Sequence, residues 1–194
     1  IVRREQATVT VLSAMSGTTD ALVKISRLAA EKNLTEIEEV IDMLRDKYTN
    51  CIEGLLVAHR GKALERMELS WATIRNAATF FHPNTSERTI ISQGELLTSA
   101  IFTLYMIESG SEAVYLTAPD FMVTDADKKV DTQLLREKLT ALIADKSKFY
   151  ITQGFICTNC KGEIDNLGRG GSDYSAALMG AAINAAEVQI WTDI

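Results

Sequence analysis

Short apolar runs alternate along the chain with longer stretches at helical spacing, and that alternation predicts a layered α/β domain. Residues 8–12, Thr-Val-Thr-Val-Leu, form a β-branched run that predicts a strand ending in Ser-Ala-Met-Ser-Gly. Helical spacing follows over about 20–31. Thr35-Glu36-Ile37-Glu38 reads as a capping box, with the Thr35 side chain accepting from a first-turn amide and Glu38 reaching back to the Thr35 amide. It is expected to open a long helix towards His59. Residues 62–80 repeat the amphipathic pattern, and Pro83-Asn84-Thr85-Ser86 marks a loop.

A further helix is predicted over 93–109, with Gly110 where a left-handed C-terminal residue is wanted, and a strand over 113–117. Asp131 is the expected N-cap of a helix over 132–145, which presents Leu134, Leu135, Leu139 and Leu142 at helical intervals. Phe149-Tyr150-Ile151-Thr152 then leads into Gln153-Gly154-Phe155-Ile156. Such a run without polar alternation predicts a strand buried on both faces of a largely parallel sheet. No internal repeat or linker interrupts the pattern, so one domain is expected.

With 46% hydrophobic and 24% charged residues over 194 positions, the chain can bury a sizeable core. A formal net charge of -6 argues against a nucleic-acid partner, which calls for a surplus of Lys and Arg. The apolar runs are short beside the roughly 20 residues of a membrane span, and no signal-peptide pattern opens the chain, so a cytoplasmic protein without a membrane is expected. Cys51, Cys157 and Cys160 are an odd, sparse set that suits a reducing compartment. Cys157 and Cys160 make a C-x-x-C, but a closed zinc site needs four ligands, and Cys51, His59 and His82 all fall in helical segments. The pair reads as incidental, near a hairpin tip, and no metal ligand set is expected.

Candidate chemistry concentrates in Leu167-Gly168-Arg169-Gly170-Gly171-Ser172-Asp173, ahead of a small-residue helix over 174–186. Glycines allow close backbone approach, and helix N-terminal amides favour an anion such as phosphate or carboxylate. Arg169 adds a planar fork that matches a carboxylate bidentately. The competing reading has Ser172 or Asp173 merely capping the helix beside a solvated Arg169. A second turn, Ser13-Ala14-Met15-Ser16-Gly17-Thr18-Thr19-Asp20, offers hydroxyls and amides at the carboxyl end of a strand, where open α/β sheets bind ligands. Neither turn matches the Walker or the G-x-G-x-x-G pattern.

Five segments, residues 11–20, 93–97, 151–156, 167–173 and 190–193, together resemble, in order and interval, the kinase domain of aspartate kinases, a branch of the amino acid kinase family. The resemblance implies a three-layer α/β/α sandwich around a mostly parallel sheet. It also implies transfer of the γ-phosphoryl group of ATP, with Mg2+, to the β-carboxylate of L-aspartate, and a homodimer. By the same resemblance Arg169 takes the α-carboxylate and Glu95 the ammonium, with Thr19, Ser13, Ser172 and Phe155 around the amino acid. Gly170, Gly171, Thr192 and Asp193 are on the nucleotide side. Asp173 helps to position a catalytic lysine in a Lys-Phe-Gly-Gly-Thr segment. That segment does not occur in this sequence, so the chain is expected to be cut short at both ends and to catalyse poorly by itself.

Read without the family, Glu95 falls near the start of its helix, where the dipole alone favours a carboxylate. Three other functions compete. A related kinase for glutamate or acetylglutamate would change the pairing at Arg169 and Glu95. A serine hydrolase would need Ser16 or Ser172 beside a histidine, and neither lies in G-x-S-x-G. A non-catalytic amino-acid-binding fragment would keep the two turns without the phosphate apparatus.

Overall fold

A computed structural model describes residues 8–191, which divide into two compact units. Residues 14–113 form one, and residues 8–13 with 114–191 the other.

The first unit is helical: α1 (Thr18–Ala30), α2 (Leu34–Leu55), α3 (Arg60–Thr79) and α4 (Thr85–Glu108). α4 packs on α1 and α3, and α2 packs on the same two helices. Leu22 and Ile25 of α1, Ile41, Tyr48 and Ile52 of α2, Trp71 and Ile74 of α3 and Ile90 of α4 are buried at helical spacing, so the amphipathic stripes find one another. Tyr48 and Trp71 meet edge to face at 5.9 Å.

The capping box lies elsewhere than predicted. α1 closes with Lys32 at φ 59, the Lys32 amide donating to Ala29 O (3.1 Å) and that of Asn33 to Leu28 O (2.9 Å), a Schellman arrangement. Asn33, released by that turn, caps α2. Its Oδ1 accepts from the Glu36 amide (3.3 Å) and its Nδ2 donates to Glu36 Oε1 (3.0 Å). Thr35 is therefore inside the first turn. Asn outranks Thr as an N-cap, and Glu38 is left to take the Arg75 guanidinium of α3 (2.8 Å).

α4 begins at Thr85, not at Gln93. Its first turns are polar and show no apolar period, yet their groups are satisfied locally. Ser86 Oγ accepts from the His82 amide (2.9 Å), and Thr89 Oγ1 donates to Thr85 O (3.0 Å). The extension makes α4 long and apolar enough to cross a membrane by length and composition, but 61% of that window is buried within the protein, as a core helix requires. It also moves Glu95 from the head of a helix to its middle, out of reach of the helix dipole. Gly110 ends α4 at φ 82, as predicted.

The second unit holds a three-stranded sheet of β1 (Thr8–Leu12), β2 (Ala113–Tyr115) and β3 (Phe149–Gln153), in the order β1-β3-β2. β1 and β3 are parallel, from Thr8 opposite Phe149 to Leu12 opposite Gln153. β3 is the central strand and Tyr150, Ile151, Thr152 and Gln153 are buried, as its continuous apolar run predicts. Gln153 is satisfied by the Ala118 amide, which donates to its Oε1 (2.8 Å), and by Leu116 O, which accepts from its Nε2 (3.1 Å). The antiparallel hairpin of β4 (Ile156–Thr158) and β5 (Ile164–Asn166) carries the C-x-x-C. Cys157 is buried on β4 and Cys160 is exposed in the turn. No group of three or more metal-ligating side chains occurs among the described residues.

α5 (Thr132–Leu142) packs on α6 (Gly171–Ala182). Asp131 caps α5 by accepting from the Leu134 amide at 2.9 Å. α6 ends at Ala182, short of the predicted 186, because Asn184 turns left-handed (φ 50) and the Ala185 amide reaches back to Gly180 O (2.9 Å).

One long-range carboxylate contact ties two ends of the helical unit together. Glu108, the last residue of α4, binds the connection between α2 and α3. It accepts from the amides of Val57 (2.7 Å), Ala58 (3.1 Å) and His59 (3.0 Å). Those amides, Val57 first and then His59, pull its carboxyl down to about 2 from 4.5. Because the folded-state value is depressed, this stabilisation is present above pH 4.5 and is lost as pH falls towards 2. Glu108→Gln is predicted to lower the thermal midpoint at neutral pH, and the gap from the parent should close as both are melted at pH values descending through that window. A gap that does not change with pH would contradict this assignment.

Candidate functional site

In the helical unit the candidate residues gather where the turn after β1 lies against the middle of α4. A Cβ built on Gly94 would stand 2.9 Å from Ala14 Cβ and 3.3 Å from Thr18 Cγ2, so only glycine lets the turn come this close. The next residue, Glu95, is 3% exposed. Its Oε1 accepts from the Ala14 amide (3.3 Å), while its Oε2 is buried with no hydrogen-bond partner among the described residues. Burial pushes this carboxyl up to about 7, against the opposing pull of the Ala14 amide. A buried carboxylate oxygen without a donor is a costly arrangement that a cationic or N–H-bearing ligand would relieve.

The turn itself is held from several sides. Gly17 is left-handed (φ 72) at the head of α1, and Thr18 N donates to Met15 O at 2.9 Å. Met15 N donates to Thr98 Oγ1 of α4 (3.2 Å), that hydroxyl is 3.1 Å from Tyr48 OH, and Tyr48 OH donates to Thr18 Oγ1 (3.4 Å). Lys47 Nζ donates to Ser16 O. Ser13 and Thr19 are exposed, with their hydroxyls on the two arms of the turn.

In the sheet-containing unit, the end of β3 and the start of α6 touch through their backbones. A Cβ on Gly154 would meet Ser172 Cα at 2.7 Å, and one on Gly171 would meet Phe155 Cδ2 at 2.8 Å. Phe155 is left-handed (φ 67), an uncommon conformation for a bulky residue that persists only where its surroundings enforce it. The enforcing group is Ser175, fully buried. Its Oγ accepts from the Phe155 amide (3.0 Å) and donates to Gly171 O (2.6 Å). α6 begins after Gly170, itself left-handed (φ 71), with no side-chain cap. Neither Ser172 nor Asp173 caps it, so the reading in which they serve only that purpose is overturned. The Gly171 amide donates to Gly168 O (3.0 Å), which leaves those of Ser172 and Asp173 for an anion, with Arg169, Gly170 and Asp173 exposed beside them.

Thus Phe155, Gly171 and Ser172 come together, as do Glu95 and the turn that carries Thr19, whereas Thr192 and Asp193 lie outside the described residues. Sequence reasoning missed Ser175, Thr98 and Tyr48. Ser175 stands four residues after Gly171 on one helix face, which is a weak signal, and Tyr48 reads as ordinary core.

The Glu95 carboxyl has a measurable consequence. Between pH 4.5 and about 7 the folded chain keeps a proton that the unfolded chain has released, so stability falls as pH rises through that window. Glu95→Gln keeps an acceptor for Ala14 and removes the charge. Its thermal stability is predicted to exceed the parent's by an amount that grows across this range and then levels off, on the order of 3 kcal/mol. An advantage that does not vary with pH would show that Glu95 titrates normally.

Comparisons with known proteins place this geometry in a family. The amino acid kinase family matches residues 2–194. Lysine-sensitive aspartokinase 3 of Escherichia coli (strain K12) is 32% identical over 190 residues, which are 95% of this chain and 42% of that protein. An aspartokinase of Chlamydia pneumoniae is 29% identical over 200 residues, 100% of this chain and 42% of the other. The crystal structure of E. coli aspartokinase III with aspartate and ADP superposes with a TM-score of 0.80 at 30% identity, covering 96% of this chain and 42% of that one. The chain therefore spans about two fifths of the length of these relatives. Its α/β architecture with a parallel sheet and its match along nearly the whole sequence agree: this chain belongs to the amino acid kinase family.

Proposed function

We propose that the protein containing this chain transfers the γ-phosphoryl group of ATP to the β-carboxylate of L-aspartate. The observation that carries the reading is Glu95 Oε2, buried and without a donor on a carboxyl group pushed up to about 7. An α-ammonium supplies both the missing hydrogen bond and the missing charge, and its arrival would draw the carboxyl back to the ionised form. Arg169 would take the α-carboxylate as a bidentate pair, with the Thr19, Ser13 and Ser172 hydroxyls and the Phe155 ring completing the surroundings of the amino acid. The similarity to aspartokinases over nearly the whole chain supports aspartate as the acceptor.

In the transfer, a β-carboxylate oxygen forms a bond to the γ-phosphorus as the bond to the β-γ bridging oxygen breaks, giving an acyl phosphate and ADP. Little covalent work falls to the protein, whose task is alignment and charge neutralisation. The uncapped first turn of α6 after Gly170 presents the Ser172 and Asp173 amides, which suit phosphate oxygens, and Gly170, Gly171, Thr192 and Asp193 would make up the nucleotide side. The described residues hold no cluster to seat a metal, so Mg2+ would be held mainly by the phosphates of ATP and supply charge neutralisation there. Asp173, exposed in the first turn of α6, would position a lysine. The Lys-Phe-Gly-Gly-Thr motif that carries that lysine in the family is not among these 194 residues, so the chain alone would bind the amino acid and transfer poorly.

An ATP- and Mg2+-dependent hydroxamate assay tests the reading on the full-length natural protein and on this chain. The full-length protein is predicted to turn over L-aspartate, and Arg169→Ala to lower kcat/KM by at least about a hundredfold, the scale of a lost charge-assisted pair. Turnover of glutamate or acetylglutamate in place of aspartate would keep the family and overturn the acceptor. Full activity in Arg169→Ala would overturn the role of that residue.

A further inference from the structure

Resting on the aspartate-binding reading, we propose that Thr98 and Tyr48 are positioning residues that set the substrate turn through a one-directional chain of hydrogen bonds. Met15 N–H donates to Thr98 Oγ1 (3.2 Å) and Tyr48 O–H donates to Thr18 Oγ1 (3.4 Å). The 3.1 Å link between Thr98 and Tyr48 can run either way by geometry. Only one direction uses every proton once. Tyr48 has spent its proton on Thr18, so Thr98 donates to Tyr48, and the chain runs Met15, Thr98, Tyr48, Thr18. Both ends lie in the turn that also gives its Ala14 amide to Glu95 and carries Thr19.

Core packing does not account for the tyrosine hydroxyl. Tyr48 is fully buried and its ring is used edge to face against Trp71, work that phenylalanine would do equally well. A buried hydroxyl is retained at a desolvation cost unless its bonds specify something. Here they join the turn to α2 and α4 at once, with Thr18 buried to 1% exposure. Thr98 stands three residues beyond Glu95 on the same face of α4, so one helix places both the carboxylate and the anchor of the turn that faces it. A shift of this turn would move the Ala14 amide off Glu95 and displace Thr19 together. Neither hydroxyl touches substrate in this scheme, and both act through the backbone of residues 14–18.

The test uses Thr98→Val, Thr98→Ser and Tyr48→Phe in the full-length natural protein, with L-aspartate and ATP-Mg2+ as the varied substrates. Thr98→Val is isosteric and removes the acceptor for Met15. It is expected to raise KM for the amino acid about tenfold while leaving KM for ATP within about twofold, since a loosened turn loses ground-state binding of one substrate. Thr98→Ser restores the parent values. Tyr48→Phe gives a smaller rise of the same kind, and the double variant Tyr48→Phe/Thr98→Val is less impaired than the product of the singles, because both break one chain. Amide hydrogen exchange gives a readout independent of the acceptor: Met15 exchanges at least about tenfold faster in Thr98→Val, while Ile101 and Leu104 of α4 keep the parent rate. Unchanged Met15 exchange, or KM values raised alike for both substrates and not restored by serine, would overturn the proposal. If the natural protein phosphorylates another amino acid, the aspartate reading fails, and the same KM split and exchange are then read with that acceptor.

Discussion

A carboxylate buried in the middle of a helix with only one of its oxygens bonded is the constraint around which the helical unit is arranged. Glu95 Oε1 accepts from the Ala14 amide, and among the described residues its second oxygen has no donor. Holding that state needs a close partner backbone, and Gly94 grants it by removing the Cβ that would strike Ala14. It also needs a rigid platform, which α4 supplies by packing against α1 and α3. The result disfavours ionisation and so works against folding at neutral pH. Functional sites commonly retain such groups at a loss of stability, because a preorganised receptor has little left to rearrange when its ligand arrives.

The sheet-containing unit meets a similar demand by similar means. Gly154 and Gly171 let the end of β3 and the first turn of α6 approach to backbone contact. The left-handed Phe155 is held there by the Ser175 hydroxyl, which bonds both segments, and by the Leu167 amide, which donates to its carbonyl. With Gly170 as a glycine N-cap, no side chain caps the first turn of α6, and beyond the Gly171 amide, which bonds Gly168 O, the Ser172 and Asp173 amides stay open. In both units a glycine beside the candidate residue sets the geometry, and a hydroxyl from a neighbouring helix locks it.

Much of this was legible in the sequence, and the failures share a cause. β1, the central β3, the Asp131 cap and the Gly110 stop follow from local pattern and came out where the pattern put them. Local signals failed where two candidates competed. Asn33 took the cap from Thr35 because the Schellman turn at Lys32 delivered it first. The start of α4 carries no sequence signal because Thr85 to Thr89 show no apolar period, Thr89 bonding back within the helix and Ser86 to the His82 amide before it. The pattern therefore puts Glu95 at a helix head and hides its character, since burial, which decides its titration, is a tertiary quantity. Arg169 and the glycine turn were visible by composition. Ser175, Thr98 and Tyr48 were not, because a hydroxyl's role depends on partners 20 to 83 residues away.

The central claim is that Glu95 waits, partly neutral, for an ammonium group. The direct measurement is the pH titration of its side-chain carboxyl carbon by NMR, free and with saturating L-aspartate, with succinate as the analogue that lacks the ammonium. The account predicts a midpoint near 7 in the free protein, a downward shift of more than about one pH unit with aspartate, and no such shift with succinate. A midpoint near 4.5 in the free protein, or a titration that aspartate leaves unmoved, would contradict it.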